Sequence, residues 1–291
     1  MNRVNDEKGK GVSFLSYKLS EWRLVAYASI FTIIELIYHT TSSVPLTLSN
    51  ATLSIIGGLL AAVLVGILFQ SLPFGPIPRL TLVWLFLFMV QMFADLIEGV
   101  FFTIRISSPA IFLGGTLLSI LITFPESLIG LLLFPATSPS SPLRLILGKN
   151  LKGRQWLPRF VLGSVAYLPI YFLFGVLVSP IVTPYYTDTS LGLGLRIPSF
   201  PVLISVELLR GFLFALALTP IIISVKLSRR GTWLLVTLSL YVIGAYVPFV
   251  AGTTLPWTLK FLHSLEIFAD SLVYGGVCTY LFKGHSILRS N

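Results

Sequence analysis

Eight long apolar stretches alternate with short polar or Pro/Gly-rich segments along this chain. They cover about 22–41, 52–72, 79–102, 111–134, 160–182, 202–225, 232–251 and 258–282. Each approaches or exceeds the roughly 20 apolar residues that a helix needs to cross a bilayer. The separators carry helix-breaking chemistry: "PFGPIP" (73–78), "PATSPSSP" (135–142) and "SPIVTP" (179–184). Proline removes a backbone donor and pushes the preceding residue out of the helical region, so such clusters end helices. The pattern predicts an all-α, polytopic membrane bundle of about eight spanning helices.

Composition supports the same class. Of 291 residues, 55% are hydrophobic and 11% charged, against about 25% charged in soluble domains. So few charges cannot solvate a water-exposed surface of this size. A bilayer tolerates it. The single cysteine, Cys278, excludes an internal disulfide and any cysteine-based metal cluster.

The net charge of +9 invites a nucleic-acid reading, but the placement of the charges opposes it. With the N-terminus in the cytoplasm, sixteen Lys and Arg fall on inside segments and only Arg105 and Arg196 on outside loops. That asymmetry sets orientation and predicts that both termini are cytoplasmic. The expected organisation is a polar cytoplasmic tail (1–21), an eight-helix transmembrane domain (22–282) with a basic cytoplasmic loop at 143–159, and a short cytoplasmic tail (283–291). The expected location is the cell membrane. The expected partners are the lipid bilayer, with anionic headgroups at the basic stretch 144–159, and no nucleic acid. No cofactor and no protein partner is legible.

The chemistry lies in what interrupts the apolar runs. An ionised side chain at the bilayer centre costs at least ~2.5 kcal/mol, so such groups face the bundle interior or water. Glu35, Asp95, Glu98, Glu207, Arg210, His263, Glu266 and Asp270 fall on four spans, between the outer interface and about the midplane. At 100° per residue, Gln91, Asp95 and Glu98 share a ~60° stripe, as do His263, Glu266 and Asp270. Glu35 and His39 are i,i+4 neighbours, and Glu207 and Arg210 are i,i+3 neighbours. The expectation is one shared polar cavity in which spans three, six and eight are mutual neighbours and span one lies close. Glu126, beside Pro125, falls toward the inner half. Its bland reading is a neutral acid bonded to the carbonyl that Pro125 frees at Leu121.

Bland readings also exist for the rest. Glu207–Arg210 reads as a neutralising pair and His263–Glu266 as a hydrogen-bonded pair. Asp95 and Glu98 are harder to dismiss, because two carboxylates one turn apart repel unless they share a proton or cation. Hydrolase motifs are missing. There is no HExxH, GxSxG, rhomboid-type GxSG, GxGD or P-loop, and "ELLRG" (207–211) lacks the double Glu of CAAX-type intramembrane proteases. His263, Glu266 and Asp270 are the candidate metal ligands of an intramembrane hydrolase, a set poor in nitrogen for zinc. The acidic surplus instead points to a transport-like protein whose outward-facing cavity handles a cation or proton, with or without a small solute. A non-catalytic assembly component is the third class.

Overall fold

The computed structural model describes residues 13–14, 17–41, 47–104, 108–136 and 156–283. The described residues form eight long helices: α1 (Glu21–Thr41), α2 (Leu48–Ser71), α3 (Pro76–Phe102), α4 (Pro109–Leu133), α5 (Trp156–Thr187), α6 (Phe200–Ser224), α7 (Arg229–Ala251) and α8 (Trp257–Phe282). Among the described residues there is no strand, only an isolated bridge between Thr103 and Leu195. The fold is an all-α polytopic bundle. Seven of the eight helices are long and apolar enough to span a membrane. The eighth, α1, carries Glu21, Arg23 and Glu35 and falls outside that group. The basic stretch 144–159 lies outside the described residues except where it enters α5.

The bundle is built inside out relative to a soluble one, and α4 makes this plainest. Its exposed stripe is Leu113, Leu117, Leu121, Phe124, Leu128 and Leu132, whereas its buried face holds Ser119, Thr123, Glu126 and Ser127. In water this arrangement would be unstable. Against hydrocarbon it is the favourable one, because the lipid takes the leucines and the protein interior satisfies the polar groups. Helix α1 follows the same rule: Trp22, Val25, Ile33 and Ile37 face outward, while Tyr27, Phe31, Thr32 and Glu35 are buried.

Contacts at the helix ends confirm the up-and-down alternation. At one end Arg79 donates to the carbonyls of Phe69 and Phe134, the amide of Lys226 bonds to the Ser71 carbonyl, and Lys283 donates to the Ile222 and Val225 carbonyls. We call this the 226 end. At the other, Arg196 donates to the carbonyls of Val100 and Phe101, and Lys260 to those of Val250 and Thr253. We call this the 195 end. These cations satisfy the carbonyls that helix termini leave without intrahelical donors. Lys260 is thereby a cap rather than a counter-ion.

Small residues bring backbones together where the sequence offers "GGLL" at 57–60. A Cβ on Gly58 would run into Thr32 Oγ1 and the Ala28 carbonyl, so α1 and α2 pack backbone to backbone. Two helices are not regular throughout. Residues Phe88–Phe93 of α3 and Val242–Ala251 of α7 are π-helical. The two stretches touch, with a Gly244 Cβ position 2.9 Å from Val90 Cγ1. Pro248 lies within the second stretch, and its missing donor accounts for broken α-helical pairing there. The periodicity of the sequence did not predict either stretch.

Candidate functional site

A cavity of about 370 Å³ lies between α3, α6, α7 and α8 and reaches Thr103, Leu195, Thr253 and Leu255 near the 195 end. Glu35, Gln91, Asp95, Glu98, Arg210, His263 and Asp270 all line it. A second space of about 260 Å³ shares Glu98, Arg210, His263 and Asp270 with the first, and runs between α5 and α8 past Gly175 and Ser179. Glu266 lines that branch. Glu207 lines neither space.

Three groups of contacts organise these side chains. In the first, Arg210 of α6 sits between two acids. Its Nη2 is 3.0 Å from Glu98 Oε2 on α3, and its Nη1 is 3.0 Å from Glu207 Oε2 one turn earlier. The guanidinium also lies over Tyr167 and Phe214 at 5.5 and 5.8 Å, within cation–π range. The neutralising pair expected for Glu207–Arg210 is present and extended by Glu98, which relieves part of the repulsion between Glu98 and Asp95.

In the second group, His263 Nδ1 is 2.7 Å from Glu266 Oε2, and His263 Nε2 is 3.0 Å from the Tyr186 hydroxyl. A Tyr–His–Glu chain therefore crosses from α5 to α8. Tyr186 was not singled out in the sequence, because a tyrosine at the end of a membrane helix reads as an ordinary interfacial aromatic. Glu266 reaches toward the α5 backbone, where Gly175 leaves room: a Cβ there would lie 3.2 Å from Glu266 Oε1. Asp270, one turn deeper, is 3% exposed, and its Oδ1 has no hydrogen-bond partner. Among the described residues no three His, Cys, Asp or Glu side chains are grouped to hold a metal ion. His263, Glu266 and Asp270 line up along one helix without converging on a point.

In the third group, Gln91 Nε2 donates to Glu35 Oε1 at 2.8 Å, tying α1 to the π-helical part of α3. The π stretch splits the stripe read from the sequence. Gln91 serves α1, whereas Glu98, past the end of that stretch, serves α6. The bond expected from Glu126 to the Leu121 carbonyl is not made, since both Glu126 oxygens lack any hydrogen-bond partner. Glu126 turns inward, where Gln91 and Glu35 lie, while the Leu121 side chain faces outward. The His39 side chain lies outside the described residues.

The spatial order of the helices also differs from the expected one. Helix α6 packs on both α3 and α8, and α1 packs on α2 and α4. Helices α3 and α8 present their acids to the same space from opposite sides rather than forming a tight three-helix contact.

No family model, curated protein or solved structure matches this chain. The fold and the cavity chemistry are thus the ground for any functional reading.

Proposed function

We propose that this multi-pass membrane protein is transporter-like, and that a cation or proton, with or without a small solute, enters the cavity from the 195 end. Charge asymmetry supports placing that end outside the cell membrane and both termini in the cytoplasm, together with residues 1–21, 143–159 and 283–291. The stretch 144–159 would meet anionic headgroups on the inner leaflet.

The observation that carries the reading is the charge balance around the cavity. Asp95, Glu98 and Asp270 line it, and among the described lining residues Arg210 is the one arginine. That arginine is already engaged with Glu98 and with Glu207 behind it. Glu266 is held by His263, and Asp270 keeps a buried oxygen without a partner. Negative charge in excess of its counter-charges, in a low-dielectric surrounding, favours a bound cation or exchangeable protons. A metal-hydrolase reading lacks comparable support, because its candidate ligands do not converge.

Purified protein in liposomes tests the proposal. Under an imposed proton or Na⁺ gradient the wild type should carry flux above empty liposomes. Asp95→Asn and Glu266→Gln should insert and fold yet lose about tenfold or more of it. Wild-type flux equal to that of empty liposomes under both gradients would exclude the transport reading.

A further inference from the structure

Below the arginine-paired acids lies a second polar cluster with different chemistry. Gln91 is 0% exposed and Glu126 is 1% exposed. Gln91 donates one of its two Nε2 hydrogens to Glu35, and its Oε1 is buried without a partner. Both carboxylate oxygens of Glu126 are likewise buried and unpartnered. Gln91 lies beside Glu126, and Glu35 and Tyr27 are within electrostatic range of it. Glu35 and Gln91 line the cavity, and Glu126 is next to them without lining it.

What these atoms lack identifies what they would bind. The Gln91 Oε1 and the two Glu126 oxygens are acceptors. An ionised carboxylate has no proton to offer, and a carboxamide oxygen never donates. A buried acceptor without a donor costs free energy, and a buried charge without a partner costs more. The Thr123 hydroxyl already donates to the Ser119 carbonyl, which leaves the Tyr27 hydroxyl and the second Nε2 hydrogen of Gln91 as donors for three acceptor atoms and two acids. An anion or a neutral acceptor would worsen the balance. A divalent cation takes about six or more oxygen ligands, more than this group provides.

We propose that Glu126, Gln91 and Glu35 form a buried site for one monovalent cation, a proton or Na⁺, at the wall of the cavity. The site does not depend on the flux reading above. Its test is equilibrium binding, so a chain that binds but carries no flux would remove the transport proposal and leave this one intact.

The experiment uses the full chain in nanodiscs, with infrared difference spectra recorded during titrations with acid and with NaCl against choline chloride. If a proton occupies the site, the wild type shows a protonated-carboxyl band that Glu126→Gln abolishes and that Na⁺ does not displace. If Na⁺ occupies it, addition of Na⁺ gives a saturable carboxylate change that Glu126→Gln abolishes. Either result supports the site. Gln91→Leu keeps both acids and removes the carboxamide, its unpartnered oxygen together with the amide that donates to Glu35, which guards against misfolding of the Glu126 variant. It should shift the titration midpoint by about tenfold in cation activity. Titrations that are the same in the wild type and in folded Glu126→Gln or Gln91→Leu protein would overturn the proposal.

Discussion

Replacing Arg210 with methionine removes the one guanidinium from the cavity and leaves its two acids behind. The consequence follows from where they sit. The Glu207 side chain is 0% exposed and receives Arg210 Nη1 at 3.0 and 3.3 Å. Glu98 is 34% exposed, so water screens it and its share is below about 1 kcal/mol. Breaking a buried pair by removing one partner costs about 3–5 kcal/mol, because the charge left behind is uncompensated. Loss of the contacts with Tyr167 and Phe214 adds about 1 kcal/mol, offset by the better burial of methionine. Arg210→Met should therefore destabilise the fold by about 3–5 kcal/mol. The double variant Arg210→Met/Glu207→Gln should recover most of that, to within about 2 kcal/mol of wild type, since no buried charge is stranded. Equilibrium unfolding in mixed micelles, followed by tryptophan fluorescence, reads both values. A single-variant cost below about 1 kcal/mol, or a double variant no better than the single, would refute the stranded-charge reasoning.

Two further outcomes follow from packing and burial. A Cβ on Gly211 would run into the Ser164 carbonyl and come within 2.9 Å of Tyr167 Cβ, so Gly211→Ala should force α5 from α6 and cost about 1–3 kcal/mol in the same unfolding assay. At the 226 end, burial pushes the Lys283 ammonium down to about 8 from its ordinary 10.5. Between those values the unfolded chain holds a proton that the folded chain has released, so stability should rise with pH across that window by no more than about 3 kcal/mol, and Lys283→Met should flatten the rise.

The helix count was legible because it rests on hydrophobic runs, which a bilayer enforces strictly. The pairs within one helix, Glu207–Arg210 and His263–Glu266, were legible from helical spacing alone. Which helices face each other was not. Nothing local in the sequence says that Glu98 meets Arg210, or that Gln91 meets Glu35. The π stretch at Phe88–Phe93 changes the register by which a fixed 100° step was projected, so Gln91 separates from Glu98. Glu126 was misplaced for a related reason. Its proline neighbour suggested a local carbonyl as partner, whereas the buried polar face of α4, running from Ser119 to Ser127, turns it toward the protein interior. Tyr186 gave no signal beyond an aromatic residue near an interface.

The central claim is that charged faces from separate helices meet in one cavity that is reached from the 195 end. Cysteine substitution tests it most directly, in a Cys278→Ala background that removes the one native thiol. Ser119 of α4 and Ser271 of α8 line the cavity, whereas Ser164 is buried in the α5–α6 contact and lines neither space. A membrane-impermeant methanethiosulfonate reagent applied to intact cells should modify Ser119→Cys and Ser271→Cys from outside, and Ser164→Cys from neither side. Modification of the two cavity positions from the cytoplasmic side alone, or of neither, would contradict the account.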